Sequence, residues 1–263
     1  MINFPAEIRD RLLNRNKNWL AIICGSTGSG KSWSALRLAE LIDPRFSIQQ
    51  VCFTPQEFMK LLNSGIVKKG SCVVFDEAGV GMPSREWYSL SNRLLSYILQ
   101  TFRHKNLAVI FTSPSFEFID SQARKLFHHY FETIRIDRVG EYVILKPLAI
   151  QHNPRLAKTY YKYPEYSNCR LTRLKVNKPS EELIRAYENK KNLFSKKLGK
   201  DIEESLTPKL EEKKPQLTDE EIIKIIKKKL KGKVTVAKIR TIIPLSYNKA
   251  SIIKEKFLHS QHS

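Results

Sequence analysis

The residues with the clearest chemistry are Gly25-Ser26-Thr27-Gly28-Ser29-Gly30-Lys31-Ser32, which have the spacing G-x-x-x-x-G-K-[ST] of a loop that wraps phosphate. Glycines at 25, 28 and 30 permit the turns that aim successive backbone N–H groups at an anion, and the N-terminus of a following helix adds its positive end. Lys31 is placed to reach the β- and γ-phosphates of a nucleoside triphosphate, here taken as ATP, and the Ser32 hydroxyl to coordinate Mg²⁺. Two carboxylates, Asp76 and Glu77, follow the apolar run Val73-Val74-Phe75. Asp76 would hold the metal through water, and Glu77 would orient and deprotonate the attacking water. That pairing favours hydrolysis over phosphoryl transfer to a small metabolite. Thr112 and Ser113 end a third apolar run that starts at Leu107. Their hydroxyls either bond the phosphate or lytic water or simply cap a strand. Arg103, and after it Arg124, are the candidates for the arginine that a neighbouring subunit supplies in trans, and each also reads as a surface or nucleic-acid arginine.

Such groups need a scaffold that brings them to one edge. Apolar runs at residues 19–24, 50–54, 71–75 and 107–112 read as strands, and residues 31–42, 55–62 and 86–103 read as helices. Their alternation predicts an α/β fold, a mostly parallel sheet with helices on both faces. In such a sheet the carboxyl ends of the strands line the edge where ligands bind. Residues 20–24 and 72–75 are continuously apolar, which predicts central strands buried on both sides. A short helix near residues 121–127 leads into a predicted β-hairpin, residues 130–136 and 142–148, around the polar turn Asp137-Arg138-Val139-Gly140. Residues 151–168 show no legible period. Their Tyr160, Tyr161, Tyr163 and Tyr166 read more readily as a cover for the sheet than as platforms for stacked bases.

Residues 1–176 thus form the phosphate-binding domain, and residues 177–198 a helical extension opened by Pro179-Ser180. Residues 199–216, with two prolines and little apolar content, read as a linker. Residues 217–263 form a second module. Thr218 and Glu221 make a capping box for a helix whose face carries Ile222, Ile226 and Leu230. Helices at residues 235–243 and 246–258, separated by Pro244, complete a helix-turn-helix or winged-helix pattern.

The charge balance points outward. A net charge of +20 and a pI near 9.8 imply a polyanionic partner, most simply DNA, although a lysine-rich proteome gives the same bulk figure. Residues 217–257 hold eleven Lys and Arg against four acids, which favours a local binding surface. Arg240, Tyr247, Asn248 and Lys249 sit where a recognition helix would meet DNA. The other meaning of that charge is a basic module that docks protein. Cys24, Cys52, Cys72 and Cys169 lack metal-ligand spacing; the first three lie in apolar runs and read as reduced core residues of a cytoplasmic protein. Neither a secretory leader nor an apolar run long enough to span a membrane is legible.

Taken together, GSTGSGKS, VVFDEAG, the strand in LAVIFTSP and Ile119-Asp120 followed by Arg124 resemble the FtsK-HerA superfamily of P-loop motors, including its Zot-like and viral packaging branches. The likeness covers roughly residues 19–136. Thr112-Ser113-Pro114 stand where that superfamily usually has a glutamine. Residues 234–240 and the run Leu245-Ser246-Tyr247-Asn248-Lys249-Ala250 look like the winged-helix module that ends FtsK translocases. The resemblance implies a RecA-like P-loop NTPase core and a homo-oligomeric, ring-forming DNA motor that uses ATP and Mg²⁺. Two other classes stay open: a nucleotide-switched DNA-binding initiator, partition or regulatory protein, and a Zot-like assembly or secretion ATPase whose basic tail docks a protein or a membrane-bound partner.

Overall fold

Six consecutive buried residues, Trp19–Cys24, form β1, the strand against which the sheet is ordered. A computed structural model describes residues 3–76, 105–119, 121–206, 218–229, 234–243 and 245–259. Before β1 lies α1 (Phe4–Leu13). The Asn3 side chain accepts from Ala6 N, a proline sits in the first turn, and Phe4, Ile8 and Leu12 are buried. After β1 come α2 (Lys31–Ile42), β2 (Val51–Cys52), α3 (Pro55–Asn63), β3 (Cys72–Phe75), β4 (Ala108–Ser113) and the one-turn α4 (Ser121–Arg124). The predicted hairpin is β5 (His129–Asp137) and β6 (Tyr142–Asn153), followed by β7 (Lys158–Lys162), β8 (Glu165–Tyr166), β9 (Cys169–Arg170) and β10 (Leu174–Asn177). The expected helix at residues 86–103, with Arg103, and Glu77 lie outside the described residues.

The strand order is β10-β6-β5-β1-β4-β3-β2, with β7 paired to β6. From β5 to β2 every neighbouring pair is parallel, and the additions beyond β5 are antiparallel. The result is a mixed α/β fold with a mostly parallel central sheet. Both faces are covered, as the sequence predicts. Trp19, Ala21 and Ile23 of β1 join a core with α1, α2 and the residues around Tyr187, while Leu20, Ile22 and Cys24 join a second core with α3 and Phe127. Strand geometry sends alternate residues to opposite faces, so a strand buried on both sides must be apolar throughout.

A 26-residue helix, α5 (Glu181–Leu206), follows the sheet. This corrects the linker expected at residues 199–216, whose first part is helical. An exposed interior glycine costs a helix only about 1 kcal/mol, and residues 200–206 are mostly good helix formers, so Gly199 does not stop it. Contacts divide the chain into Met1–Ile202 and Glu203–Ser263. Among its described residues the second unit holds α6 (Asp219–Lys229), α7 (Val236–Ile242) and α8 (Tyr247–His259) around Ile222, Ile226, Ile239, Ala250, Ile253 and Phe257. The capping box is formed: Thr218 N donates to Glu221 Oε2 at 2.8 Å, and Glu221 N donates to Thr218 Oγ1 at 3.4 Å. Cys24, Cys52 and Cys72 are buried and unbridged, whereas Cys169 is exposed. No helix among the described residues is long and apolar enough to cross a membrane.

The N-terminal core includes two neutral histidines. Trp19 Nε1 donates to His129 Nδ1 at 2.9 Å, and Leu20 N donates to His128 Nδ1 at 3.0 Å. Burial first, and the charge of Arg11 with it, pulls His128 down to about 4; burial, then His128 and Arg11, pulls His129 down to about 3. Protonation would also convert each accepting Nδ1 into a donor facing a donor. Between these values and the unfolded value near 6.5 the unfolded chain binds more protons. Stability is therefore complete above about pH 6.5 and declines as pH falls. Urea unfolding should show a loss on the order of a few kcal/mol between pH 7 and pH 4.5. The His129→Gln variant should show a shallower decline over the same range.

Candidate functional site

The register explains why the predicted residues meet. Cys24 lies opposite Ser113, so β1 and β4 end level, while Phe75 lies opposite Phe111, so β3 ends slightly earlier on the same sheet edge and Asp76 comes beside Thr112. The strand carrying Thr112 sits between the other two. Gly25 begins the loop immediately after β1, and a Cβ there would lie 1.8 Å from Thr133 Oγ1 of β5. No side chain fits. Gly30 N-caps α2 at φ +86°, a left-handed conformation, and its Cβ would lie 2.5 Å from Val143 Cγ2 of β6. The hairpin therefore presses on the loop from the side opposite Asp76, a role its sequence did not advertise.

Within the loop, Lys31 Nζ donates to the Ser26 carbonyl at 2.7 Å. Ser29 Oγ is shielded from solvent and has no hydrogen-bond partner among the described residues, so an acceptor entering the loop would supply one. Thr27, Gly28, Gly30, Lys31 and Ser32 line a cavity of about 780 Å³, large enough for a nucleotide. These features fit a triphosphate. The hard oxygen donors Ser32 and Asp76 suit Mg²⁺ held jointly with phosphate.

Asp76 is fully buried. Its Oδ1 accepts from Thr112 Oγ1 at 2.6 Å and its Oδ2 from the Tyr187 hydroxyl at 2.6 Å, while Lys191 Nζ stands 3.7 Å from Oδ2. Thr112 thus holds the carboxylate. Ser113 donates to the Ser115 carbonyl at 2.8 Å and shapes the following loop. Arg124 turns inward on its own segment, with Nε donating to the Ile119 carbonyl at 2.9 Å and the guanidinium 5.8 Å from the Phe116 ring.

The structure also adds lining residues that the sequence left unassigned: Ile136, Tyr142 and Val143 from the hairpin, and Tyr187 and Lys191 from α5. Both elements had a sequence signal, the hairpin in its strand pattern and polar turn and the helix in Pro179-Ser180, but neither signal said which side chains would reach the site. In the second unit, Tyr247 is 64% exposed and Asn248 is exposed at the start of α8, while Lys249 is half-buried. Arg240 Nε donates to the Leu245 carbonyl at 3.2 Å, which ties α7 to the turn before α8. Tyr160, Tyr161 and Tyr163 stand 39, 46 and 36% exposed, against the expectation that they cover the sheet. Tyr166 does cover it, with its hydroxyl 3.2 Å from His129 Nε2.

No protein-family profile and no curated protein sequence matches the chain. Among solved structures it is similar to the N-terminal domain of zonular occludens toxin from Neisseria meningitidis, at 15% identity and a TM-score of 0.32, with 58% of this chain and 97% of that one covered. A TM-score of that size establishes no common fold, so the function rests on the geometry of the site.

The loop's dependence on its neighbours is measurable. Gly30→Ala combines a left-handed φ with contact against Val143, and it should lower stability by about 1–3 kcal/mol in denaturant unfolding. Unchanged stability would mean that the hairpin does not press on the loop.

Proposed function

We propose that the chain is an Mg²⁺-dependent ATPase that acts on DNA as a homo-oligomeric motor. The observation that carries the nucleotide half is the single cavity lined by Gly28, Gly30, Lys31, Ser32 and Thr112, with the buried carboxylate of Asp76 bonded to Thr112 at its edge. The loop amides and Lys31 bind and orient the phosphates, and Ser32 with Asp76 would hold the metal. When bound, the metal neutralises charge that develops on the phosphates during transfer. Glu77, next in the chain to Asp76, is the proposed base that positions water for in-line attack.

The DNA half is supported by the second unit. Its basic excess, and the exposed Tyr247 and Asn248 that open α8 after a short turn, suit a helix-turn-helix reader of DNA, with Lys249 and Arg240 beside them. Arg103 or Arg124 would act on a neighbouring subunit's phosphates. A nucleotide-switched DNA-binding protein is the second reading. It is favoured by α5, which begins in the first unit, bonds Asp76 through Tyr187, and runs on past the boundary into the second.

The test is the ATP hydrolysis rate with Mg²⁺, with and without duplex DNA. Duplex should raise the rate, and Glu77→Gln should lower it by about 10²-fold or more while nucleotide binding persists. An identical rate with and without DNA contradicts the motor. Normal hydrolysis by Glu77→Gln contradicts the assigned base.

A further inference from the structure

The sequence places Asp76 at a strand end but gives no sign of what closes over it. In the structure that element is α5, anchored on both sides of the site. At its start the Ser180 hydroxyl donates to Glu40, and Leu183, Ile184 and Tyr187 are buried. Further along, Lys190 Nζ donates to the carbonyls of Ile48 and Val51, and the Phe194 ring stacks on Phe53 at 4.9 Å with 13° between planes. Between the anchors Tyr187 and Lys191, four residues apart, lie on one helix face. Tyr187 bonds Asp76 directly, and Lys191 Nζ is also 5.6 Å from the Tyr187 ring.

Lys191 is within ion-pair range of Asp76 but too far for a hydrogen bond to it, at 3.7 Å. Its side chain is 31% exposed and lines the same cavity as Lys31 and Ser32. The cavity has two chemically different ends. On the β5 and β6 side of β1, Ile136, Tyr142 and Val143 offer an apolar and aromatic surface for a nucleoside, beside the charged Asp137, Arg138, Glu141 and Lys178. On the β4 and β3 side it is Thr112, Ser113 and Lys191, suited to phosphate oxygens. A chain of phosphates threaded from the first end through the loop brings its last member to the second.

We propose that Lys191 is a phosphate-binding residue for the terminal phosphate of the triphosphate, and that Tyr187 is the positioning residue that fixes the Asp76 carboxylate. The assignment rests on the ATP reading. It makes α5 part of the site. It also separates triphosphate from diphosphate, because a diphosphate brings no phosphate to Lys191.

Calorimetric titration of the full chain with Mg·ATP and with Mg·ADP tests this in the wild type, Lys191→Met, Lys191→Arg and Tyr187→Phe, with thermal melts to follow folding. Methionine keeps the side-chain stem and removes the charge. Lys191→Met should weaken ATP about tenfold or more and leave ADP within about twofold, since one charge-assisted contact is lost. Lys191→Arg should retain most of the preference for ATP. Tyr187→Phe should keep both affinities within about threefold yet raise the Mg²⁺ concentration needed for half-maximal hydrolysis, which loss of packing alone would not do. Equal losses for ATP and ADP in Lys191→Met, or none, overturn the lysine's role and reduce it to a neutraliser of Asp76. Should Lys191→Met fail to fold, an arginine variant without a preference for ATP overturns it equally. An unchanged Mg²⁺ dependence in Tyr187→Phe overturns the positioning role. A wild type that binds neither nucleotide overturns the ATP reading itself, and this inference with it.

Discussion

A carboxylate with no exposure to water constrains the architecture around Asp76. Removing a charge from water is costly unless hydrogen bonds and a countercharge replace the lost solvation. Here the replacements come from three side chains on two elements: Thr112 on β4, and Tyr187 with Lys191 one helical turn further on along α5. Thr112 can reach only because β4 lies beside β3 in parallel register. Tyr187 can reach because α5 is packed down by Leu183 and Phe194. The strand order and the docking of the final helix are thus tied to one anionic group.

The phosphate loop is constrained from the other side. Gly25 and Gly30 have no room for side chains because Thr133 and Val143 of the hairpin stand against them. Between hairpin and carboxylate the loop is confined to a narrow slot at the carboxyl edge of the sheet. A loop held in this way has less freedom left to lose, which would lower the ordering cost of binding a ligand there.

Much of this was legible in the sequence where the signal is local. β1 and α2 begin and end where the apolar run and the glycine-lysine pattern place them, because phosphate-loop spacing fixes a strand, a turn and a helix start together. The doubly covered sheet was legible from unbroken apolar strands. What was not legible depends on distant pairs. Asp76 and Tyr187 are 111 residues apart, and nothing in the period of α5 says which side chain meets the site. Gly25 read as a turn residue, whereas the stronger reason for it is Thr133. Tyr160 and Tyr161 are exposed because β7, among the described residues, pairs on one side only, with β6, a matter of topology rather than of composition. Past Gly199 the prolines at 208 and 215 point to a linker, yet the helix formers before them carry the helix on to Leu206.

The central claim is that this edge of the sheet binds a triphosphate through Lys31 with magnesium at Asp76. Equilibrium titration of a fluorescent ATP analogue, with Mg²⁺ and with EDTA, against the intact chain and Lys31→Ala tests it most directly. The account predicts saturable binding that EDTA weakens and that falls about 10²-fold in Lys31→Ala, the scale expected for a preorganised phosphate donor. Equal affinity in the two proteins, or no binding to the intact chain, would contradict it.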